Sequence, residues 1–273
     1  MTTRKSHTPP NMRRVTLQKV DGNREKTFTI QLPTHWGELT RPQVWVVADL
    51  LLSPEPFKAK FELLKHMIAP SVFRYLDEFQ ISELGNCLDF LFESDNLTKN
   101  QFPKFKTFFG PTDMLSKTTL SEYARADTHF RKFIKTQNIK ELDLLVACLY
   151  RPSKRNIHNL KRDDKWSGDC RQAYNPDKVQ ENAKLIAKLP HKFKCATFLF
   201  FVGCKQKFVE MFKDIFPQNP PKNSKEGSWA DTKLDLAEAG IFGDLNATGE
   251  TYILNALAFL NKKAKEAKEA EKQ

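Results

Sequence analysis

From Pro33 onward the chain is punctuated for helix at short intervals, and that punctuation directs it toward a mainly α fold. Thr40-Arg41-Pro42-Gln43 sets a capping hydroxyl before an early helical proline, with Gln43 at the capping-box position. The helix behind it is expected to reach Leu52, where Ser53-Pro54-Glu55-Pro56 stops it and starts another. Phe61, Leu64, Lys65 and Ile68 then recur at helical spacing, and Pro70 ends the run. Val72–Leu76 and Ile81–Phe92 read as two short helices. Thr119-Leu120-Ser121-Glu122 reads as a capping box ahead of a stripe of Tyr123, Ala124, Phe130 and Ile134. Asn138 caps the next helix, whose Leu142, Leu145, Val146 and Leu149 form a buried face closed by Arg151-Pro152. Asn175-Pro176 restarts helix, with Val179, Ala183 and Ile186 inward. Phe193, Phe200, Cys204, Phe208 and Phe212 share a face of what is expected to be the most buried helix. Ser228 opens another that stops at Gly240, and Thr248 is expected to cap the last, with Ile253, Ala256, Leu257 and Leu260 inward.

Strand grammar precedes all this. Val15, Leu17 and Val20 lead into Asp21-Gly22-Asn23, and Phe28, Ile30 and Leu32 follow in alternation with polar residues, which spells a β-hairpin. A lone hairpin is marginal in water, so it must pack on something. Around Phe105, Phe108 and Phe109 a short extended segment and turn are expected, packing with that hairpin. The architecture expected is a multi-helical, bundle-like body with a small N-terminal β-hairpin. Its parts are a tail at 1–11, the hairpin at 12–33, helical halves at 34–150 and 176–262 around a basic loop at 151–175, and a charged tail at 263–273. Phe-rich faces on both sides of the loop point to one continuous core.

Composition narrows the function. Gly is 10 of 273 residues, about half of average usage, which disfavours Gly-rich phosphate loops, and no GxxxxGK[ST], GxGxxG or GxSxG occurs. No run of about 18 apolar residues is present, so no membrane partner is expected. The stretch MTTRKSHTPPNMRR has no apolar core of the kind a secretory signal needs. The five cysteines, Cys87, Cys148, Cys170, Cys195 and Cys204, are odd in number, widely spaced and without CxxC, which fits reduced thiols in a cytoplasm. No zinc site, metal or cofactor is expected from these spacings.

Chemistry-bearing residues are scattered. His129 flanks a core stripe and reads as a half-buried structural histidine before a catalytic one. Cys170 with His158 could form a nucleophile and base, but nothing in the sequence demands it. Asp163-Asp164 between Arg162 and Lys165 is more simply a solvated mixed-charge loop than a cation site. The formal net charge of +11 concentrates in part between 151 and 165. There Arg151, Lys154, Arg155, Lys161, Arg162 and Lys165 make a candidate contact for nucleic acid or an anionic partner, against the plainer reading of solvated loop charges.

Several strings, taken in order, carry a family likeness. They are Leu32-Pro33-Thr34-His35-Trp36-Gly37-Glu38-Leu39-Thr40, Tyr123-Ala124-Arg125-Ala126-Asp127 and Leu149-Tyr150-Arg151-Pro152. Gly168-Asp169-Cys170-Arg171-Gln172-Ala173-Tyr174-Asn175, Phe200-Phe201-Val202-Gly203-Cys204 and Ala239-Gly240-Ile241-Phe242-Gly243 follow. Across residues 28–262 this order resembles a group of phage and prophage proteins from the tail-gene region. The resemblance implies a non-enzymatic role in tail assembly, as a chaperone or structural accessory with a phage structural or tail protein as partner. It places the chain in the host cytoplasm or on the virion, and it brings no catalytic residues to carry over. Nucleic-acid binding through 151–165 is the alternative, and an enzyme assembled from distant residues is a third reading.

Overall fold

The computed structural model describes residues 12–21, 24–92, 97–164, 166–216 and 227–270, with the side chains of residues 19–26 outside the description. The expected tail at 1–11 and most of the stretch between Pro217 and Ser228 lie outside the described residues.

Strands β1 (Arg13–Asp21) and β2 (Arg24–Leu32) form an antiparallel hairpin with Val15 opposite Ile30 and Leu17 opposite Phe28. Its apolar face meets the body: Ile30 and Leu32 of β2 are buried, Val15 and Leu17 of β1 are half-buried against the core, and the Phe28 ring stacks on Tyr75 at 6.3 Å. Buried Glu38 accepts from the Thr34 N–H at 2.6 Å and the Thr34 hydroxyl at 3.1 Å, which fixes the exit of β2.

Four helices follow: α1 (Arg41–Val47), α2 (Lys58–Met67), α3 (Pro70–Phe73) and α4 (Glu78–Asn86). Gln43 reaches back to accept from the Thr40 N–H at 2.7 Å, as the capping signature requires. The regular helix ends at Val47, short of Leu52, and turns fill the gap. On α2 the inward residues are Ala59, Leu63 and Leu64, while Phe61 is exposed. Of the expected stripe, Leu64 and Ile68 are buried, while Phe61 and Lys65 face outward.

Short strands β3 (Lys104–Phe105) and β4 (Phe108–Phe109) come next. They join β5 (Arg151–Pro152) in a three-stranded sheet of order β3-β4-β5, and do not extend the N-terminal sheet. The reason is local: Tyr150, at the end of the helix before β5, is buried with its hydroxyl 2.9 Å from the Phe102 carbonyl and 3.1 Å from Asn100 Oδ1. Arg151-Pro152 both ends a helix and supplies a strand.

The second half of the core is built from α5 (Leu120–Thr136), α6 (Ile139–Leu149), the single-turn α7 (Ile157–Leu160), α8 (Val179–Ile186) and α9 (His191–Met211). On α6 and α8 the expected residues face inward. On α5 the buried apolar residues are Leu120, Tyr123, Ala126, Phe130 and Phe133, and Ile134 is exposed. Helix α9 is buried nearly all round, with Phe193, Phe198, Phe200, Phe201, Cys204 and Phe208 in the core, the mark of a central helix. Its Phe193 stacks on Phe105 at 4.3 Å, and Phe198 stacks on Phe130 at 5.3 Å. A Cβ on Gly203 would lie 2.8 Å from the Leu97 backbone N, so glycine is what allows this approach.

Helices α10 (Trp229–Glu238), α11 (Leu245–Glu250) and α12 (Ile253–Ala270) close the chain. Asp244 caps α11, and Thr248 is a buried residue inside α11 instead of the cap of the last helix. The charged end continues as helix to Ala270. The fold is mainly α, with one apolar cluster running from Ile30 to Leu257. Among the described residues no helix is long and apolar enough to cross a membrane.

Candidate functional site

The polar stretch after α6 does not hang free. Ser153 forms a bridge with Arg171, and the Lys154 N–H donates to the Cys170 carbonyl at 2.9 Å, so the segment doubles back against the end of α6. That return brings Arg151 and Arg171 together over the N-terminus of α5, where Glu122 sits.

Thr119 caps α5, accepting from the Glu122 N–H at 3.3 Å. Glu122 does not complete the expected capping box. Its carboxylate is fully buried, accepting from Arg171 Nη1 and, at 3.1 Å, from Arg151 Nη2. The two guanidinium groups also satisfy the last carbonyls of α6, which have no partner within the helix. Arg151 Nη1 donates to the Cys148 carbonyl at 2.7 Å, and Arg171 Nη1 to the Leu149 carbonyl at 2.9 Å. Arg151 Nε donates to the Gln172 carbonyl at 2.8 Å, and Arg171 Nη2 to the Lys117 carbonyl at 3.2 Å. Asp169 accepts from Arg171 Nε at 3.0 Å and from Arg171 Nη2 at 3.0 Å.

The electrostatics follow from burial and pairing. Desolvation alone would lower the Arg171 pKa, but Glu122 and Asp169 outweigh it and hold the guanidinium above its ordinary value. Burial, reinforced by the Glu122 charge, pushes the Cys148 thiol up to about 12. Burial likewise raises the Tyr174 hydroxyl, whose ring lies 5.7 Å from the Arg151 guanidinium carbon. Burial thus favours the neutral forms of Cys148 and Tyr174, while pairing holds the charge on Arg171.

This network floors a cleft of about 880 Å³ walled by α5, α10, α11 and the irregular segment at 167–174. Six cationic side chains and three carboxylates line it. Two of each sign, Arg151, Arg171, Glu122 and Asp169, are spent on one another. The remainder are Lys117, Arg125, Lys154 and Lys233, against Glu250. Lys117 lies over the Tyr252 ring at 5.4 Å and Lys154 over Trp166 at 5.1 Å. Lys233 approaches Ser121 Oγ at 3.5 Å.

Of the sequence candidates, Arg151 and Lys154 reach this cleft. Arg151 is buried with its guanidinium committed inside the protein, so it supports the floor and offers no exposed contact. Arg155, Lys161 and Arg162 are exposed around α7 and do not line the cleft. Lys165 lies outside the described residues. Sequence reading missed Glu122, Arg171 and Asp169, because Glu122 fits a capping box and the other two sit in a stretch without period. His158 is exposed and Cys170 half-buried. His129 is buried, with Nδ1 2.7 Å from Glu141. Among the described residues no three His, Cys, Asp or Glu side chains are grouped to hold a metal ion.

A second exposed feature is the hairpin. Among the described residues no third strand pairs with it. Each strand of this two-stranded sheet has one unpaired edge among the described residues; β1 lays half-buried Val15 and Leu17 on the core where β2 buries Ile30 and Leu32, so β1 is the less buried, outer strand of the two. Asp21 faces Arg24 across a two-residue connection, which makes them a hydrogen-bonded pair. By alternation, Arg14, Thr16 and Gln18 turn their N–H groups away from β2. Through Tyr75 the hairpin adjoins a face where Phe61 meets Phe73 at 5.6 Å. Phe57 and Phe79 are 72% and 74% exposed, too open to be core. No protein-family model, no curated protein and no solved structure matches this chain.

Proposed function

We propose that the chain is a non-enzymatic accessory protein of phage assembly that holds another phage protein, structural or tail, by adding a strand of that partner to β1. The observation that carries this reading is the nine-residue outer strand with no neighbour on its free edge among the described residues. An exposed edge is a template for strand pairing, in which main-chain bonds supply affinity and alternate side chains supply specificity. A third strand would also stabilise a hairpin that two strands hold only marginally. Elsewhere on the body the rings of Phe57 and Phe79 are exposed apolar surface of the kind that marks protein contacts. The ordered resemblance to tail-region proteins supports the class of partner and a place of action in the host cytoplasm or on the virion. A second reading, nucleic-acid binding, draws on exposed Arg155, Lys161 and Arg162, which leave the cleft and run over the surface at α7.

Co-expression with the structural proteins of the particle, followed by affinity capture of the full chain, tests the first reading. Wild type retains a partner. Thr16→Pro, which removes an outward N–H at an edge position where proline is tolerated, loses it, and Thr16→Ser keeps it. Equal capture by Thr16→Pro, with an unchanged melting transition, contradicts the reading, as does capture of no structural protein.

A further inference from the structure

We propose that the cleft above the Glu122 network is a binding site for a small molecule carrying two or more linked phosphates, gripped by Lys117, Arg125, Lys154 and Lys233. The inference is independent of the hairpin. It begins from an imbalance. Lys117, Lys154 and Lys233 are each half-buried on the cleft wall, and none has a carboxylate within ion-pair distance among the described residues. Arg125, exposed on the same wall, has none either.

The floor cannot relieve them. Both Glu122 oxygens are taken by arginines, and Asp169 is held by Arg171 at two nitrogens. Four cations therefore converge on one concavity whose fixed groups are already neutral as a set, with Glu250 as the one remaining carboxylate. The walls are built to hold that geometry. Gly249 of α11 lies so close to Ser121 of α5 that a Cβ there would collide with its hydroxyl, and Lys117 and Lys154 rest on aromatic faces.

The chemistry of the missing group follows. Three of the four cations are lysines, compact charges suited to phosphate oxygens without a fixed planar fork. A linked diphosphate carries enough negative charge to answer several of them, where a single carboxylate answers one. The cleft volume, about 880 Å³, lies in the range of small-molecule sites, about 300–1,000 Å³. The lining also includes Tyr174 and Tyr252, so the walls are not purely ionic. A nucleic-acid strand would need the cationic track to continue beyond the walls, and Arg155, Lys161 and Arg162 lie off the lining.

Calorimetric titration of the full chain with inorganic pyrophosphate and adenosine triphosphate tests this, with citrate as a carboxylate control and a single-stranded oligonucleotide as a competitor. Expected is saturable, salt-sensitive binding of both phosphate probes, with citrate weaker by about tenfold or more. The Lys117→Ala/Lys233→Ala variant weakens it by about tenfold or more with an unchanged melting transition, while Lys161→Ala leaves it unaltered. No binding at low salt, equal binding by the double variant, or citrate binding as well as pyrophosphate overturns the proposal. So does an oligonucleotide that binds more tightly than either phosphate probe and is lost in Lys161→Ala/Arg162→Ala.

Discussion

Arg171 donates to Glu122 across 49 positions of sequence, and both side chains are wholly shielded from solvent. The pair ties the start of α5 to the polar return after β5, with the end of α6 caught between them. A stretch that reads as a loop is thereby made part of the core.

Removing one member leaves the other buried with part of its ionic pairing gone: Glu122 keeps only Arg151, and Arg171 keeps only Asp169. Arg171→Leu strips Glu122 of a partner and leaves the Leu149 carbonyl unsatisfied, so a loss of about 3–5 kcal/mol is expected. Urea unfolding measures it. Glu122→Leu combined with Arg171→Leu should be less damaging than the sum of the single changes, because the pair disappears together.

His129 makes stability depend on pH. Burial lowers its pKa below the ordinary value near 6.5, and the Glu141 contact only partly opposes this. As pH falls below about 6.5 the unfolded chain binds protons that the folded chain resists, so this contribution to stability is lost toward acid. His129→Gln keeps a donor for Glu141 and removes the titration. Its unfolding free energy should fall less than that of wild type between neutral pH and the lowered value, as chemical denaturation at a series of pH values will show.

Gly203 is where α9 touches the backbone at Leu97. Gly203→Ala puts a methyl against backbone that cannot swing aside, and an overpacking cost of about 1–3 kcal/mol is expected despite alanine's better helix propensity. Thermal unfolding followed by circular dichroism checks it. An exposed helical glycine would show the opposite sign.

Much of the helical body was legible in sequence because caps and apolar period agree there, as at Asn138 with Leu142, Leu145, Val146 and Leu149. The pattern misled where a helix is buried over more than one face or carries polar core groups. On α5 the buried arc includes Glu122, Asp127 and His129, so an apolar count places Ile134 inward when it is exposed. The extended segment and turn of β3 and β4 were legible around Phe105, Phe108 and Phe109, but the third strand was hidden because β5 is two residues long and pairs with β4 across more than forty positions. The cleft was legible only at Arg151 and Lys154. Its floor depends on Glu122 and Arg171 meeting in space, and a Glu three residues after Thr119 satisfies a local rule so well that nothing signals a distant partner.

The free edge of β1 is the surface proposed to receive a partner. Amide hydrogen exchange, read on the full chain alone and in its captured complex, tests it most directly. The account predicts that the amides of Arg14, Thr16 and Gln18 exchange freely in the isolated chain and slow by about tenfold or more in the complex. Protection confined to other segments, with those three amides unchanged, would contradict it.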